Sequence, residues 1–387
     1  MKINKIYDLL IVGGGISSSV FVTKFIQNNL TARIAIVEAG RSLGGRSSTR
    51  VSNKYKGWQL NHGSPNLNII NNKNNKQLEF FIKDLLNSKI IQLDESDLIH
   101  LNINNKLNSI ENIQFTDGKN YLSTSSMSEL SENIIALNNL RNQIDFYFQT
   151  FIIKLDFKRN YWTLFSNNGE RFVSKFIVCS SSLLLHKRSK VILNTNQIPL
   201  RQCIPKNKDK KIDYLFDFLN NQTYIPRLSF LIYTNSNYCY KDNYFKKYRY
   251  FLLNQDLEEK YSIERIIFQL QQNNNLGIVI HTKSFELIEE YIKDPDENKL
   301  KQTILNNFNL LFEDNPNINK LINYEGISIM RWRASQPSGI GIPDTLQIFS
   351  NYKIGFCGDW FESGGFGRIE GAIISSLKLA LRFKLLN

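Results

Sequence analysis

Residues 7–22, YDLLIVGGGISSSVFV, decide the fold of this 387-residue chain. The apolar run of residues 7–12 predicts a buried strand, which three successive glycines end. Beyond the glycines, apolar residues recur at helical spacing, with Ile16 four positions before Val20. Residues 34–37, IAIV, predict the next strand. Because a strand, a helix and a second strand follow one another closely, the two strands should be parallel neighbours in an α/β fold.

The glycines between this strand and helix form the pattern Gly13-x-Gly15-x-x-Ser18. Glycine permits a tight turn and the close approach of a pyrophosphate, while the helix N-terminus offers free N–H groups and a partial positive charge. The third position packs helix against strand and needs a small residue, and Ser18 is only slightly larger than Gly or Ala. Glu38 ends the second strand, where an acid hydrogen-bonds an unphosphorylated adenosine ribose. These features predict a Rossmann-type dinucleotide-binding domain.

Two further segments carry groups suited to a dinucleotide. Gly44 and Gly45 can bring backbone N–H groups close to an anion, and Arg46 adds a fixed charge for phosphate. The alternative is an ordinary glycine turn beside a solvated arginine. Near the C-terminus, Asp359 follows a short predicted strand and can accept hydrogen bonds from a polyol. A helix beginning near Ile369 directs the positive end of its dipole at the same crevice, where a reduced flavin would carry negative charge.

Composition excludes several classes of protein. A hydrophobic share of 42% rules out a mostly disordered chain. The net charge is +13, from 48 Lys and Arg against 35 Asp and Glu, but Lys, Asn and Ile are spread through every region. The charge therefore indicates a compositional bias and predicts no nucleic-acid partner. No run approaches the ~20 apolar residues of a membrane span, and no signal-peptide core is present, so we expect a cytoplasmic protein.

The cysteines and histidines predict neither a disulfide framework nor a metal site. No C-x-x-C pair occurs, and the histidines lie far apart in sequence, so we expect reduced, structural thiols. The cysteines are Cys179, Cys203, Cys239 and Cys357.

With these motifs in view, the chain resembles the FAD-dependent amine oxidase superfamily at both ends. Its N-terminal block is matched by residues 7–50, with the triple glycine, Glu38-Ala39 and LGGR at 43–46. CGDW at 357–360 and EGAIISS at 370–376 resemble the C-terminal FAD block. The resemblance implies a discontinuous, glutathione-reductase-like Rossmann FAD-binding domain with an interleaved α+β substrate domain. The expected FAD-binding domain spans residues 1–69, 144–194 and 326–387, and the substrate domain spans 70–143 and 195–325.

Within the superfamily, the chain most resembles renalase-like FAD/NAD(P)-binding oxidoreductases. RSSTR at 46–50 extends the arginine motif as in that branch, and WQLNHGS at 58–64 stands where the branch has an Asp-x-Gly segment beside the flavin. RWRA at 331–334 resembles its Trp-Arg-Tyr-Ala segment. The chain departs from the pattern at Ser18, at Asn61, which replaces the usual acid, and at Arg333, which no Tyr follows. The last two positions lie near the expected flavin face and therefore bear on the substrate.

The resemblance implies oxidation of a small molecule by hydride transfer to noncovalently bound FAD. In the renalase-like branch the substrate is a dihydronicotinamide isomer, and dioxygen reoxidises the flavin with release of hydrogen peroxide. An anionic nicotinamide dinucleotide would suit Arg331, Arg333 and Arg368. The alternatives are an amine or polyene oxidase or desaturase of the same superfamily, and a non-catalytic escort-type regulator on the same fold.

The motif matches place two sets of residues at the expected site, and neither set includes a metal ligand. The candidate pocket residues, to which no catalytic step is assigned, are His62, Arg331, Trp332, Arg333, Trp360 and Arg368. For each of these, core packing, a surface ion pair or a structural role is the alternative. The expected FAD-binding residues are Gly13, Gly15, Ile16, Ser17, Ser18, Glu38, Ala39, Gly44, Gly45, Arg46, His62, Gly63, Ser64, Ile152, Gly358, Asp359, Arg368, Ile369, Glu370 and Ala372.

Overall fold

The computed structural model describes residues 5–55, 57–70, 75–102, 107–108, 118–137, 139, 141–234, 244–271, 275–282, 296–319 and 324–384. In chain order, the strands are β1 (Ile6–Val12), β2 (Ile34–Val37), β3 (Thr49–Val51), β4 (Gln59–Asn61), β5 (Leu67–Ile69), β6 (Ile91–Leu93), β7 (Asp97–Leu101), β8 (Leu107–Asn108), β9 (Lys119–Ser123), β10 (Ile144–Tyr147), β11 (Ile152–Lys158), β12 (Tyr161–Ser166), β13 (Arg171–Cys179), β14 (Thr223–Thr234), β15 (Tyr248–Leu253), β16 (Arg265–Leu270), β17 (Leu276–Thr282), β18 (Tyr324–Ser338), β19 (Ile348–Phe349) and β20 (Ile354–Phe356). The helices are α1 (Ile16–Gln27), α2 (Lys76–Asn87), α3 (Leu130–Ala136), α4 (Arg188–Ile192), α5 (Pro199–Cys203), α6 (Lys210–Asn221), α7 (Tyr244–Lys247), α8 (Gln255–Tyr261), α9 (Glu297–Leu311), α10 (Pro316–Asn319) and α11 (Ile369–Lys384).

The first sheet contains the predicted strand–helix–strand unit. Its strands run in the order β10-β2-β1-β13-β12-β11, and β20 lies beside the second half of β13. Strand β1 is parallel to both β2 and β13, whereas β11 and β12 form an antiparallel pair. The segments 6–37, 144–179 and 348–356 supply these strands, so the sheet is discontinuous in sequence. The predicted α/β fold with a Rossmann-type unit is confirmed.

Helix α1 is buried along most of its length because it lies between α3 and α11 beside the sheet. Small hydroxyl side chains allow this close packing, and their hydroxyl groups donate hydrogen bonds to backbone carbonyls. The Ser18 hydroxyl donates to the Gly15 carbonyl at 2.6 Å, and that of Thr23 donates to Ile134 at 3.1 Å. At the other end of the interface, the ring of Phe21 meets the edge of Phe383 in α11. Helix α1 is therefore held in place by α3 on one side and by α11 on the other.

The second sheet is mostly antiparallel and runs in the order β18-β14-β17-β16-β15-β7-β8. One face is apolar: Phe230 and Ile280 pack with Phe308 of α9 in one core cluster. Because successive side chains of a strand point to opposite faces, Leu231 lies on the other face, where it packs with Leu60 of β4. The second face of this sheet therefore packs against β4, in the N-terminal part of the chain.

Two segments join other parts of the fold than the sequence predicts. Strand β18 pairs with β14 from Tyr324 to Ser338, so residues 326–338 belong to the second sheet and not to the sheet of the expected FAD-binding domain. Residues 70–143 are divided: β7 and β8 join the second sheet, whereas α2 and α3 pack with α1 and α11. Sequence periodicity indicates the type of an element, but the sheet that it joins depends on contacts distant in sequence.

Candidate functional site

A cavity of about 490 Å³ lies between the two sheets. Its first wall consists of the loops that follow β1, β2 and β13 and of the starts of α1 and α11. Its second wall consists of side chains from β14, β16, β17 and β18. The crevice beyond the carboxyl ends of parallel strands is where open α/β sheets bind ligands, and the volume is in the range of small-molecule and cofactor sites.

The glycine loop, residues 13–15, forms part of the first wall. Gly13 has a φ of +104°, and a Cβ there would lie 2.5 Å from the Ser180 hydroxyl oxygen. Gly15 differs, because a Cβ there would meet no atom closer than the Gly44 carbonyl oxygen and the Gly45 Cα, both at 4.0 Å. Gly15 lines the cavity immediately before the free N–H groups of α1. An anionic group can therefore approach the backbone in the space that a side chain would fill.

Glu38 lies on the same wall, one residue beyond β2. One carboxylate oxygen accepts a hydrogen bond from the Gly14 amide at 2.6 Å, and the other accepts from the Gly40 amide at 2.6 Å. Since each carboxylate oxygen has a second lone pair, both can also accept from a ribose hydroxyl. The two amides fix the orientation of the carboxylate at the edge of the cavity.

The predicted phosphate cation and the predicted polyol acceptor are paired with each other. The Arg46 guanidinium donates to both Asp359 carboxylate oxygens, at 2.7 and 2.5 Å, and to the Ser335 carbonyl at 3.2 Å. Gly44 precedes this arginine with a φ of +117°, and a Cβ there would lie 2.9 Å from the Ser47 carbonyl oxygen. The turn therefore requires glycine, and it brings Arg46 across to the loop that follows β20.

The start of α11 forms the remaining part of the first wall, with Ile369 and Ala372 on the cavity. Arg368 also lines the cavity, and its guanidinium pairs with Glu370 at 2.6 Å and donates to the Asn68 amide oxygen at 3.2 Å. Glu370 is fully buried and accepts a further hydrogen bond from the Ile70 amide at 2.8 Å. Glu370 therefore fixes the position of Arg368 and does not itself lie on the cavity wall.

Several predicted cofactor residues support the wall without forming it. Ser18 is buried and bonded to the Gly15 carbonyl, and Ile152 lies in the core of the first unit. Ala39 is exposed, because the chain turns away from the cavity after Glu38. The predicted cofactor residues that do not line the cavity are Ser18, Ala39, Ile152, Gly358 and Glu370. For the buried members of this set, packing and not ligand contact constrains the position.

Arg331 and Arg333 are exposed and do not line the cavity, contrary to the sequence expectation. The reason is the alternation of side chains along β18, which turns Trp332 and Ala334 to the cavity and the two arginines to the other face. Asn61 is also absent from the cavity wall. Its amide oxygen accepts from the Thr49 hydroxyl at 2.6 Å and from the Met127 amide at 3.2 Å, so the residue joins β4 to β3 and to the turn before α3.

His62 and Trp332 meet at the junction of the two walls, with ring centroids 5.1 Å apart. The His62 carbonyl accepts from the Ser229 hydroxyl and from His281 Nε2, each at 2.9 Å. Burial, with a contribution from Arg50, lowers the pKa of His62 to about 4. His62 is therefore a neutral imidazole near pH 7. Trp360 lines the cavity as well, and its ring packs on Phe361 at 4.5 Å.

The polar residues of the second wall were not predicted from the sequence. Arg227 and Ser229 on β14, Arg265 on β16 and His281 on β17 share one face of the sheet and line the cavity. In the sequence, the available signal was limited to two polar residues, Arg227 and Ser229, at alternate positions in the largely apolar middle of β14. Burial and its proximity to Arg265 lower the pKa of His281 to about 3, so this imidazole is also neutral near pH 7.

Arg188 adds a further cation at the first wall. Its guanidinium lies 3.9 Å from the centre of the Tyr224 ring and donates to the Ser182 hydroxyl at 3.4 Å. Burial lowers the pKa of Arg188, and among the described residues its Nε has no hydrogen-bond partner. No motif in the sequence marks Arg188, because only contacts between segments distant in sequence bring α4 to the cavity.

The described residues contain no group of three His, Cys, Asp or Glu that could hold a metal ion. Nor does any helix in the described ranges combine the length and apolarity that crossing a membrane requires. Cys179 and Cys357 are buried free thiols, and burial raises the pKa of Cys357 to about 12. Cys203 is a partly buried free thiol, whereas Cys239 lies outside the described residues.

Comparison with known proteins agrees with this geometry. The family of NAD(P)-binding Rossmann-like domains matches residues 11–85, which include the glycine loop and Glu38. No curated protein matches the chain in sequence. Cyclohexylamine oxidase from Brevibacterium oxydans IH-35A has a similar structure, with a TM-score of 0.66 and 13% identity over 99% of this chain and 100% of that one. The chain has the fold of this oxidase.

A second similar structure is putrescine oxidase bound to putrescine, with a TM-score of 0.65 and 10% identity. The similarity covers 98% of this chain and 99% of that chain. Because both similarities extend over nearly the whole chain, the second sheet belongs to the shared fold as much as the glycine-loop unit does. At these identities, the comparison concerns the fold, and the chemistry has to be argued from the residues of the cavity.

Proposed function

We propose that this chain is an FAD-dependent oxidoreductase that oxidises an anionic small molecule, by resemblance a dihydronicotinamide isomer. The main support for FAD as the cofactor is that four features lie on one wall of the cavity. They are the open backbone at Gly15, the oriented carboxylate of Glu38, the pair Arg46–Asp359 and the start of α11. The donor set fits a dinucleotide with an unphosphorylated adenosine ribose.

Each part of this wall has a proposed role. The N-terminus of α1 and the Gly15 backbone would hold the pyrophosphate, and Glu38 would accept from the adenosine ribose. Arg46 would contact a phosphate, and Asp359 would accept from the ribityl chain. The N-terminus of α11, with Arg368 fixed by Glu370, would stabilise negative charge at the pyrimidine edge of the flavin. When bound, FAD would supply the hydride acceptor, and dioxygen would be the final acceptor of two electrons and two protons, which gives hydrogen peroxide.

The charge of the cavity supports an anionic substrate. Arg188, Arg227 and Arg265 line the same cavity and are not among the predicted cofactor residues. The carboxylates among the described lining residues are Glu38 and Asp359, and both are engaged on the first wall. The three arginines would attract a phosphate-bearing nicotinamide and repel a protonated amine. The neutral imidazoles of His62 and His281 add no positive charge to this arrangement.

A dihydronicotinamide also suits the residues present in a second respect. Its oxidation to a nicotinamide removes a hydride from carbon and leaves no proton to transfer, so the reaction needs no catalytic base. The chain's contribution would then be binding, orientation and exclusion of water. An amine substrate, by contrast, has to lose a proton from nitrogen before or during oxidation.

The experiment is anaerobic mixing of the FAD-loaded protein with candidate substrates, followed through flavin absorbance. We expect bleaching by 2- or 6-dihydronicotinamide isomers of the mononucleotide or dinucleotide, and none by primary amines such as putrescine or cyclohexylamine. Readmitting dioxygen should restore the absorbance with formation of hydrogen peroxide. Bleaching by amines alone would replace the proposed substrate with the amine alternative, and a flavin that no reductant of either class bleaches would favour the regulator.

A further inference from the structure

The second wall of the cavity contains a cluster of two guanidinium groups that share one carboxylate. Arg227 donates from Nε and Nη2 to the two Glu264 oxygens, each at 2.7 Å. Arg265 reaches the same carboxylate at 3.5 Å. The side chains of all three residues are largely buried, with exposed fractions of 8% for Arg227, 12% for Glu264 and 16% for Arg265. The cluster therefore holds two guanidinium groups and one shared carboxylate largely away from bulk water.

The two arginines face the cavity, whereas Glu264 lies behind them. Both Arg227 and Arg265 line the cavity and Glu264 does not. The remaining Arg227 nitrogen, Nη1, donates to the Ser335 hydroxyl at 2.9 Å and to the Gln336 amide oxygen at 3.2 Å, both residues of the cavity wall. The two cations of the cluster, and not its anion, are therefore within reach of a molecule in the cavity.

Buried charge is costly unless it is balanced. Burial lowers the pKa of Arg265, and Arg265 with Arg227 holds the pKa of Glu264 well below its usual range although burial opposes its ionisation. Glu264 thus stays charged, and the two arginines share it. Planar guanidinium groups bind carboxylate and phosphate oxygens through paired N–H donors.

We propose that Arg227 and Arg265 form a subsite for an anionic group of the substrate, a phosphate or a carboxylate. That this anionic group belongs to the molecule being oxidised rests on the proposed function. His281 lies opposite Arg265 on the neighbouring strand, and its Nε2 donates to the His62 carbonyl. The subsite is thereby joined through His62 to Trp332, at the junction where the substrate would meet the cofactor.

The first test measures binding of inorganic phosphate to the FAD-loaded protein by calorimetry. We expect Arg265→Gln to weaken phosphate binding about tenfold or more, as for loss of a charge-assisted hydrogen bond. Glu264→Gln should strengthen phosphate binding several-fold, because it removes the competing carboxylate. Arg333→Gln is the matched control, since it removes an exposed arginine from the same sheet outside the cavity, and it should leave phosphate binding unchanged.

Opposite effects of Arg265→Gln and Glu264→Gln on phosphate affinity distinguish a binding subsite from a structural ion cluster. If both variants weaken phosphate binding equally, or if Arg265→Gln leaves it unchanged, the proposal is wrong. Where Arg265→Gln loses its fold by circular dichroism, Arg265→Lys takes its place: it keeps the charge but not the paired N–H donors, so it should bind phosphate measurably and more weakly than wild type. Undetectable phosphate binding in a folded Arg265→Lys protein that retains FAD would also contradict the proposal.

The second test compares two reduced probes that differ by one phosphate, dihydronicotinamide riboside and its mononucleotide, in anaerobic flavin bleaching. The subsite predicts that wild type prefers the mononucleotide and that Arg265→Gln loses the preference through a higher half-saturating concentration. Bleaching by both probes with no preference in wild type would overturn the subsite and leave the proposed function standing. Arg265-dependent phosphate binding without bleaching by either probe would support the subsite and contradict the proposed substrate.

Discussion

Charged residues of the cavity are fixed by partners that lie behind or beside them. Glu38 is held by two backbone amides, Arg46 by Asp359, Arg368 by Glu370 and Arg227 by Glu264. A side chain whose orientation is already set loses little conformational entropy when a ligand binds. At the scale of single residues, the cavity is therefore prepared for a ligand of defined charge and shape.

Glu38 gives the most direct residue-scale prediction for the cofactor. Glu38→Ala removes the acceptor expected for the adenosine ribose, so retention of FAD should weaken by about 1–3 kcal/mol, or roughly 5- to 150-fold. The measurement is the dissociation constant of FAD by fluorescence titration of the apoprotein. Glu132→Ala removes a partly exposed carboxylate that pairs with Arg141, and it should leave FAD affinity unchanged. Equal FAD affinity in wild type and Glu38→Ala would exclude the ribose role.

His62 gives a pH-dependent prediction. Its pKa falls from the ordinary 6.5 to about 4 in the folded protein because the ring is buried, next to Arg50. Between these two values the unfolded chain binds the proton more readily, so His62 costs no stability above pH 6.5 and destabilises the fold as the pH falls toward 4. The cost is roughly 3 kcal/mol at the acid end.

In His62→Gln, the free energy of unfolding should therefore depend less on pH between 4 and 6.5, by a slope of about one proton. The backbone carbonyl of residue 62, which accepts from Ser229 and His281, is kept in this variant. Urea unfolding at several pH values measures the slope. An unchanged slope in the variant would show that His62 titrates normally in the folded state.

At the scale of elements, the glycine loop separates residues needed for the fold from those needed for the ligand. Gly13 has a positive φ and no room for a Cβ, whereas Gly15 has an ordinary φ of −84° and room on the cavity side. Gly13→Ala should lower the free energy of unfolding by about 1–3 kcal/mol. Gly15→Ala should leave the unfolding of the apoprotein within about 0.5 kcal/mol of wild type and reduce FAD affinity.

Chemical denaturation and FAD titration of the two variants test this division. A Gly15→Ala apoprotein as destabilised as Gly13→Ala would mean that the loop is constrained throughout by packing. Full FAD affinity in Gly15→Ala would mean that no ligand atom approaches the backbone at this residue.

The same elements show what the sequence could predict and what it could not. The β1–α1–β2 unit was predictable because its signals are local: an apolar run, a glycine turn, a helical period and an acid at the strand end. The second wall was not predictable, since Arg227, Arg265 and His281 come from strands whose pairing depends on distant contacts. In β18 the motif was visible, but only strand pairing and alternation decide that Trp332, and not Arg331, faces the cavity.

At the scale of the whole molecule, the cavity exists because the second face of the second sheet packs against β4 in the N-terminal part of the chain. Leu60 of β4 packs in the same cluster as Tyr233 and Val279 of the second sheet, and Gly277 of β17 lies directly against it. A Cβ on Gly277 would lie 2.1 Å from Leu60 Cδ2. Close packing at this point therefore sets the distance between the two cavity walls.

Gly277→Ala should destabilise the protein by about 1–3 kcal/mol, as overpacking of a buried interface does. Leu60→Ala leaves space at the same point, so the double variant Gly277→Ala/Leu60→Ala should be more stable than the sum of the single effects indicates. A double-mutant cycle of unfolding free energies measures this coupling. Additive effects would show that the two residues do not share the interface.

The central claim is that the glycine-loop wall holds noncovalent FAD, and the visible absorption spectrum of the purified protein tests it most directly. The spectrum is recorded before and after denaturation, and the denatured sample is filtered to separate small molecules from the chain. We predict a yellow protein with flavin absorbance, and free FAD in the filtrate. A colourless protein that added FAD does not restore to a flavin spectrum would contradict the claim.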